Sequence, residues 1–210
     1  MDNANVIPRW LAKDDEGNPF NVGGFDCLAF VNSLLATTDK QAIAESYLSL
    51  RNSVGDEYKI KLPEQAGELA CDLRYAYPGE VSEGVLFKAK QMEEKWDIYL
   101  YGDRIYFCRS WTGELIFVAE FSGTGTEIVI GRIWATKEGA DTDEQLAIRQ
   151  VDYLIKEHLF NRHVPHPLPG SIPNEPQAVG LYSFSQYGNK CCFATYEDTI
   201  TAGLKTSSAE

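Results

Sequence analysis

Histidine, arginine and cysteine are the side chains here with the greatest chemical reach, and their spacing limits what each can do. The three histidines cluster at His158, His163 and His166. With Glu157 they are ligands of the kind zinc or iron accepts. Pro165 and Pro167 keep the two later histidines off one helix face, so the spacing matches no metalloenzyme helix motif and no metal is expected. His158 can instead complement the negative end of its helix. Arg109 and Trp111 sit two apart on a predicted strand and so share a face, with Tyr106 and Cys108 on the other. An arginine beside tryptophan, with Trp96 nearby, could stack on a ligand and pair with its carboxylate or phosphate. The competing reading pairs Arg109 with Glu94 or Asp97 and uses Trp111 as packing between helix and sheet.

Nucleophilic catalysis would need a thiol or hydroxyl beside a base. Cys108 or Cys191 could meet a histidine in space, but thiols at strand centres are ordinarily buried and inert. Ser122-Gly123-Thr124-Gly125-Thr126 has the look of a phosphate loop without the lysine or the following helix, and reads as a hairpin turn. The acidic pairs Asp14-Asp15 and Glu93-Glu94 lie among polar residues and read as solvated. No residue is assigned a catalytic role and no cofactor is expected.

The elements that would hold these groups centre on residues 95–134. Aromatic and β-branched runs of strand length there are separated by Gly102-Asp103, Thr112-Gly113 and Gly123-Thr124-Gly125, the mark of an antiparallel meander. Upstream, residues 1–24 read as loop with Trp10 as an anchor. Asp26 is placed to cap a helix carrying Leu28, Val31, Leu34 and Leu35, and Thr38 with Gln41 matches a capping box for a second helix. Tyr58 to Leu62 alternates like a strand, while Glu64 to Tyr75 reads as a helix with Leu69, Leu73 and Ala76 facing inward. Residues 88–94 fit helix or strand. Past a turn at Lys137 to Ala140, one of Asp141, Thr142 or Asp143 caps a helix bearing Leu146, Ile148, Val151, Leu154, Ile155 and Leu159. The prolines at 165, 167, 169, 173 and 176 make a surface strap. Residues 179–184 and 190–196 read as a C-terminal hairpin about Tyr187-Gly188-Asn189, with a frayed tail at 206–210.

Met92-Glu93-Glu94-Lys95-Trp96 and Tyr106-Phe107-Cys108-Arg109-Ser110-Trp111-Thr112-Gly113 carry a resemblance. They resemble small bacterial domains with a Met-Glu-(Glu/Asp)-Lys-Trp start and a Tyr-Phe-x-Arg-Ser-Trp-Thr-Gly hairpin core. The resemblance implies no activity.

The fold class expected is α+β: an antiparallel meander of roughly four to six strands flanked by helices, with a C-terminal hairpin. Residues 1–160 make one domain (helical part 25–77, sheet 84–135, helix 141–159), and 161–210 make the strap and hairpin. The 210 residues carry a net charge of -12, which disfavours phosphate backbones and hence nucleic acid. The first residues lack the pattern of a signal peptide, no apolar run is of membrane length, and five scattered cysteines suit reduced thiols in a cytoplasm. The leading functional expectation is a non-enzymatic acidic binding protein, of the bacterial immunity or inhibitor kind, that neutralises a basic protein partner. The alternative is an enzyme or small-molecule-binding domain with a pocket around Arg109 and Trp111, joined by Trp96, His158 or His163. A third reading has the C-terminal hairpin adding to a neighbour's sheet in a homo-oligomer.

Overall fold

The computed structural model describes residues 6–136 and 144–205. In chain order these form strands β1 (Arg9–Leu11) and β2 (Gly24–Asp26), helices α1 (Leu28–Asn32) and α2 (Gln41–Leu50), and strands β3 (Gly67–Ala76), β4 (Gly84–Phe87), β5 (Trp96–Tyr101), β6 (Arg104–Arg109), β7 (Leu115–Gly123) and β8 (Glu127–Ala135). Helix α3 (Glu144–Leu154), strand β9 (His166–Pro167), helix α4 (Pro176–Tyr187) and strand β10 (Phe193–Thr195) follow. The α+β class is present. By contacts the chain forms two compact units: residues up to Ala36 with those from Asp152 onward, and Thr37 to Val151. The segment after 160 thus belongs with the N-terminal residues. Among the described residues no helix is long and apolar enough to cross a membrane.

The central unit is the meander. Its order is β3-β8-β7-β6-β5-β4, antiparallel throughout. The two-residue loop Gly102-Asp103 closes β5 onto β6, with Gly102 at φ +60°, a region that a side chain would disfavour. Side chains alternate between two buried faces. Trp96, Ile98, Phe107 and Phe117 fall on one; Tyr99, Tyr106, Cys108, Val118 and Trp134 fall on the other and join Tyr58 in a cluster. Asp97 is buried on that second face. Arg51 grips it with two hydrogen bonds (3.1 and 2.7 Å), Lys88 lies at 3.4 Å, and the Ala89 N–H donates at 2.9 Å.

Several local expectations are corrected. The predicted helix at 64–75 is largely the edge strand β3, paired antiparallel with β8 on either side of a bulge between Ala70 and Leu73. Leu69 and Leu73 satisfy a helical or an alternating period equally. Tyr75 is the residue that decides, since it is buried while Ala76 is exposed. The predicted strand at 58–62 is instead a 3-10 turn at Asp56–Tyr58 followed by Ile60 at φ +62°. Tyr58 is drawn inward, stacked on Tyr99 with centroids 5.6 Å apart and its hydroxyl on the Gly113 carbonyl. Gly55 permits this, because a Cβ there would sit 2.3 Å from the Tyr99 ring. The helix after Asp26 is short, ending at Asn32, and Leu35 is exposed. Asp26 does accept the Leu28 N–H at 3.1 Å. The capping box does not form: Thr38 accepts from the Lys40 N–H and Gln41 donates to Glu45. Residues 88–94 adopt neither helix nor strand.

In the other unit the strand order is β1-β2-β10-β9, with β9 parallel to β10. The expected C-terminal hairpin is absent. Pro176 opens helix α4, whose Val179, Ser183 and Tyr187 make a buried stripe at helical spacing, and the second half is β10, paired to β2. A homo-oligomer built through that hairpin loses its element. The strap contains β9, at the sheet edge where proline is tolerated. Trp10 packs edge-on against Phe25 at 5.1 Å yet is half exposed. The helix bearing Leu146 to Leu154 is α3, and Ile155 and Leu159 fall in the turn that follows it. The turn at 137–140, its caps at 141–143, residues 1–5 and the tail at 206–210 lie outside the described residues.

Candidate functional site

Helix α3 does not end in an ordinary cap. Residues Ile155–Leu159 form a π-helical turn, the Phe160 N–H reaching back to the Ile155 carbonyl at 3.2 Å. Asn161, at φ +50°, then reverses the chain, a conformation asparagine tolerates better than most residues. The reversal lays His163 over Glu157, Nδ1 to Oε1 at 3.2 Å. Glu157 is buried, and its Oε2 has no hydrogen-bond partner among the described residues. Desolvation pushes its carboxyl above the usual range, and the charge of His163 opposes that.

His163 stands at the rim of a cavity of about 400 Å³. Leu11, Phe20, Leu28, Phe193 and Leu204 make its apolar wall. Asp26 and Cys192 join His163 as its polar side chains. The wall is set by strand register: Leu11 faces Gly24, and Phe193 faces Asp26. Gly24 is required by close approach, since a Cβ would fall 2.3 Å from the Ala194 carbonyl. Asn18, buried, ties the loop below by bonding the carbonyls of Ala12 (3.0 Å) and Val22 (2.8 Å) and the Phe20 N–H (2.8 Å). Phe20 and Phe193 then meet at 5.0 Å.

Cys192 is a poor nucleophile in this setting. Burial pushes its thiol up to about 12, and the Glu157 charge adds to the effect. A second polar chain lies deeper: His166 Nε2 is 2.8 Å from Ser183 Oγ, which is 3.8 Å from Cys27 Sγ. All three are sealed from solvent. Burial lowers His166 to about 3 and raises Cys27 to about 12, so this chain is a neutral packing network with Tyr153 and Tyr187 around the imidazole. His158 is likewise buried and lowered to about 3. The three histidines thus serve three settings, and among the described residues no three His, Cys, Asp or Glu side chains gather to hold a metal ion.

The remaining expected residues lie in the central unit. Arg109 ends β6 and stacks over Trp96 at 4.3 Å from its ring centroid, Trp96 being its cross-strand partner. Trp111 lies beyond the strand, in the turn, so the shared strand face expected for Arg109 and Trp111 does not exist. Its Nε1 donates to the Met92 carbonyl at 2.8 Å, and Lys95, lowered to about 8 by burial, covers its ring. Asp97 is held by Arg51, and Glu94 takes the Lys90 N–H at 2.6 Å. Of the five residues expected at a ligand site, His163 alone lines this cavity. In sequence Asp26 reads as a helix cap and Cys192 as a small hydrophobe; only strand pairing between positions far apart in sequence unites them. No family model, no curated protein and no solved structure matches the chain.

Proposed function

We propose that the unit formed by the two ends of the chain binds a small, largely apolar molecule in the cavity beside His163. One observation carries this reading: an apolar, half-open cavity of about 400 Å³ whose polar side chains are few and gathered on Asp26, His163 and Cys192. Binding is favoured over turnover because the one thiol on the wall is held protonated, while His163 and Glu157 form a base without a nucleophile.

The test is a titration with 1-octanol, read by amide chemical shifts. Burial at about 0.8 kcal/mol per methylene predicts a Kd on the order of 0.1–1 mM for a chain that fills the cavity. Shifts should map to Leu11, Phe20, Phe193 and Leu204 and weaken in Leu204→Trp, which fills the space from an exposed position. Unchanged spectra up to the solubility limit would sink the proposal.

The net charge of -12 supports a second reading: a cytoplasmic acidic protein that neutralises a basic one, as immunity and inhibitor proteins do. Affinity capture from the host, with mass spectrometry of proteins and small molecules, separates the two. A basic protein near one-to-one favours the second; a bound apolar metabolite favours the first.

A further inference from the structure

We infer that the cavity takes a free α-amino acid with a large apolar side chain, held by Arg9 at its carboxylate and by Asp26 at its ammonium; the inference rests on the small-molecule reading above. Arg9 and Asp26 are directly opposed in the β1–β2 register, and Phe193 opposes Asp26 in turn. Residues in such register share a face, and Leu11, two along from Arg9, is on it as well. Leu11, Asp26 and Phe193 all line the cavity, so the Arg9 side chain leaves the sheet on the cavity side. Arg9 itself is not part of the wall; its Nη2 lies 3.2 Å from where a Cβ would stand on Gly17, a lining residue, and Asp15 Oδ1 lies equally near that point without forming an ion pair with it.

Cross-strand neighbours of opposite charge ordinarily pair. Here neither Arg9 nor Asp26 forms an ion pair among the described residues, and Asp26 spends one oxygen on the Leu28 N–H. One residue of each sign, opposed across the β1–β2 pair and unjoined, can answer the two opposite charges that an α-amino acid carries. An amine alone would leave the guanidinium unanswered; a carboxylate alone would meet Asp26, with the Glu157 charge behind His163. His163, its Nδ1 turned to Glu157 Oε1 at 3.2 Å, presents its ring on the same rim. The apolar side chain then enters between Phe20, Phe193 and Leu204.

The experiment compares four probes by calorimetry on the full chain: L-phenylalanine, 2-phenylethylamine, 3-phenylpropionate and 1-octanol. Phenylalanine should bind at least roughly tenfold tighter than either single-charge analogue. Arg9→Gln should erase its advantage over phenylethylamine, and Asp26→Asn, which keeps the oxygen that caps Leu28, its advantage over phenylpropionate. If octanol binds and phenylalanine gains nothing over the analogues, the amino-acid inference falls while the pocket reading stands. If none of the four binds, the pocket reading fails and takes this one with it.

Discussion

Acidification should destabilise the unit that holds His158 and His166 before ordinary carboxylates protonate. Each imidazole is enclosed and its pKa lowered from 6.5 to about 3, with desolvation the first cause in both. Above pH 6.5 neither the folded nor the unfolded state binds the proton, and the histidines have no effect on the pH dependence. Below it the unfolded chain binds protons that the folded chain refuses, so stability is lost as pH falls from 6.5 toward 3. At 1.36 kcal/mol per unit, the step from pH 6.5 to about 5 costs about 2 kcal/mol per histidine and about 4 for the pair. Glu157 acts in the opposite sense: its raised pKa stabilises the fold at low pH, an effect lost as pH rises through that value, and so it trims the loss. Urea unfolding between about pH 7.5 and about pH 5, with hydrogen exchange followed in peptides spanning 155–166, measures this. His166→Gln, which can still reach Ser183, should reduce the slope by about half even if it lowers stability at neutral pH. Stability unchanged across the range, or a slope unaltered in that variant, would refute the reasoning.

Two further outcomes follow from the central unit. Arg51→Met leaves the buried Asp97 carboxylate with Lys88 and one N–H and should cost about 3–5 kcal/mol, visible as a lower urea midpoint; a change under about 1 kcal/mol would show that Lys88 suffices. Ile60→Gly should raise stability by about 0.5–1 kcal/mol, because a β-branched residue at φ +62° is strained and its side chain, 89% exposed, contributes no burial. A lower midpoint in that variant would show that the strain is not there.

The meander was legible because its signals are local. Gly102-Asp103 and Thr112-Gly113 stop runs whose alternation is complete within a few residues, and the observed pairing follows those stops. The errors have two causes. Leu69 and Leu73 fit two periods at once, and what makes β3 a strand is β8, distant in sequence. Val179, Ser183 and Tyr187 lie among Gly, Ser and aromatic residues of good strand propensity, and it is Pro176 at the helix start and a buried stripe at helical spacing that settle them. Long-range pairing decides β3, whereas a helix start and a helical period decide α4.

The site was illegible for a different reason. A polar residue's role depends on what surrounds it, and His158, His163 and His166 read alike in sequence although two are enclosed and the third stands at a rim. What separates them is one extra residue per turn at Ile155–Leu159 and the reversal at Asn161, neither of which has a composition of its own. Arg9 and Asp26 were equally unremarkable until the register set them opposite each other. The proposed amino-acid site rests on what they fail to do, since a formed ion pair would be ordinary surface chemistry worth little, whereas Asp26 on an apolar cavity wall, opposed to Arg9 and unjoined to it, leaves both charges for a ligand.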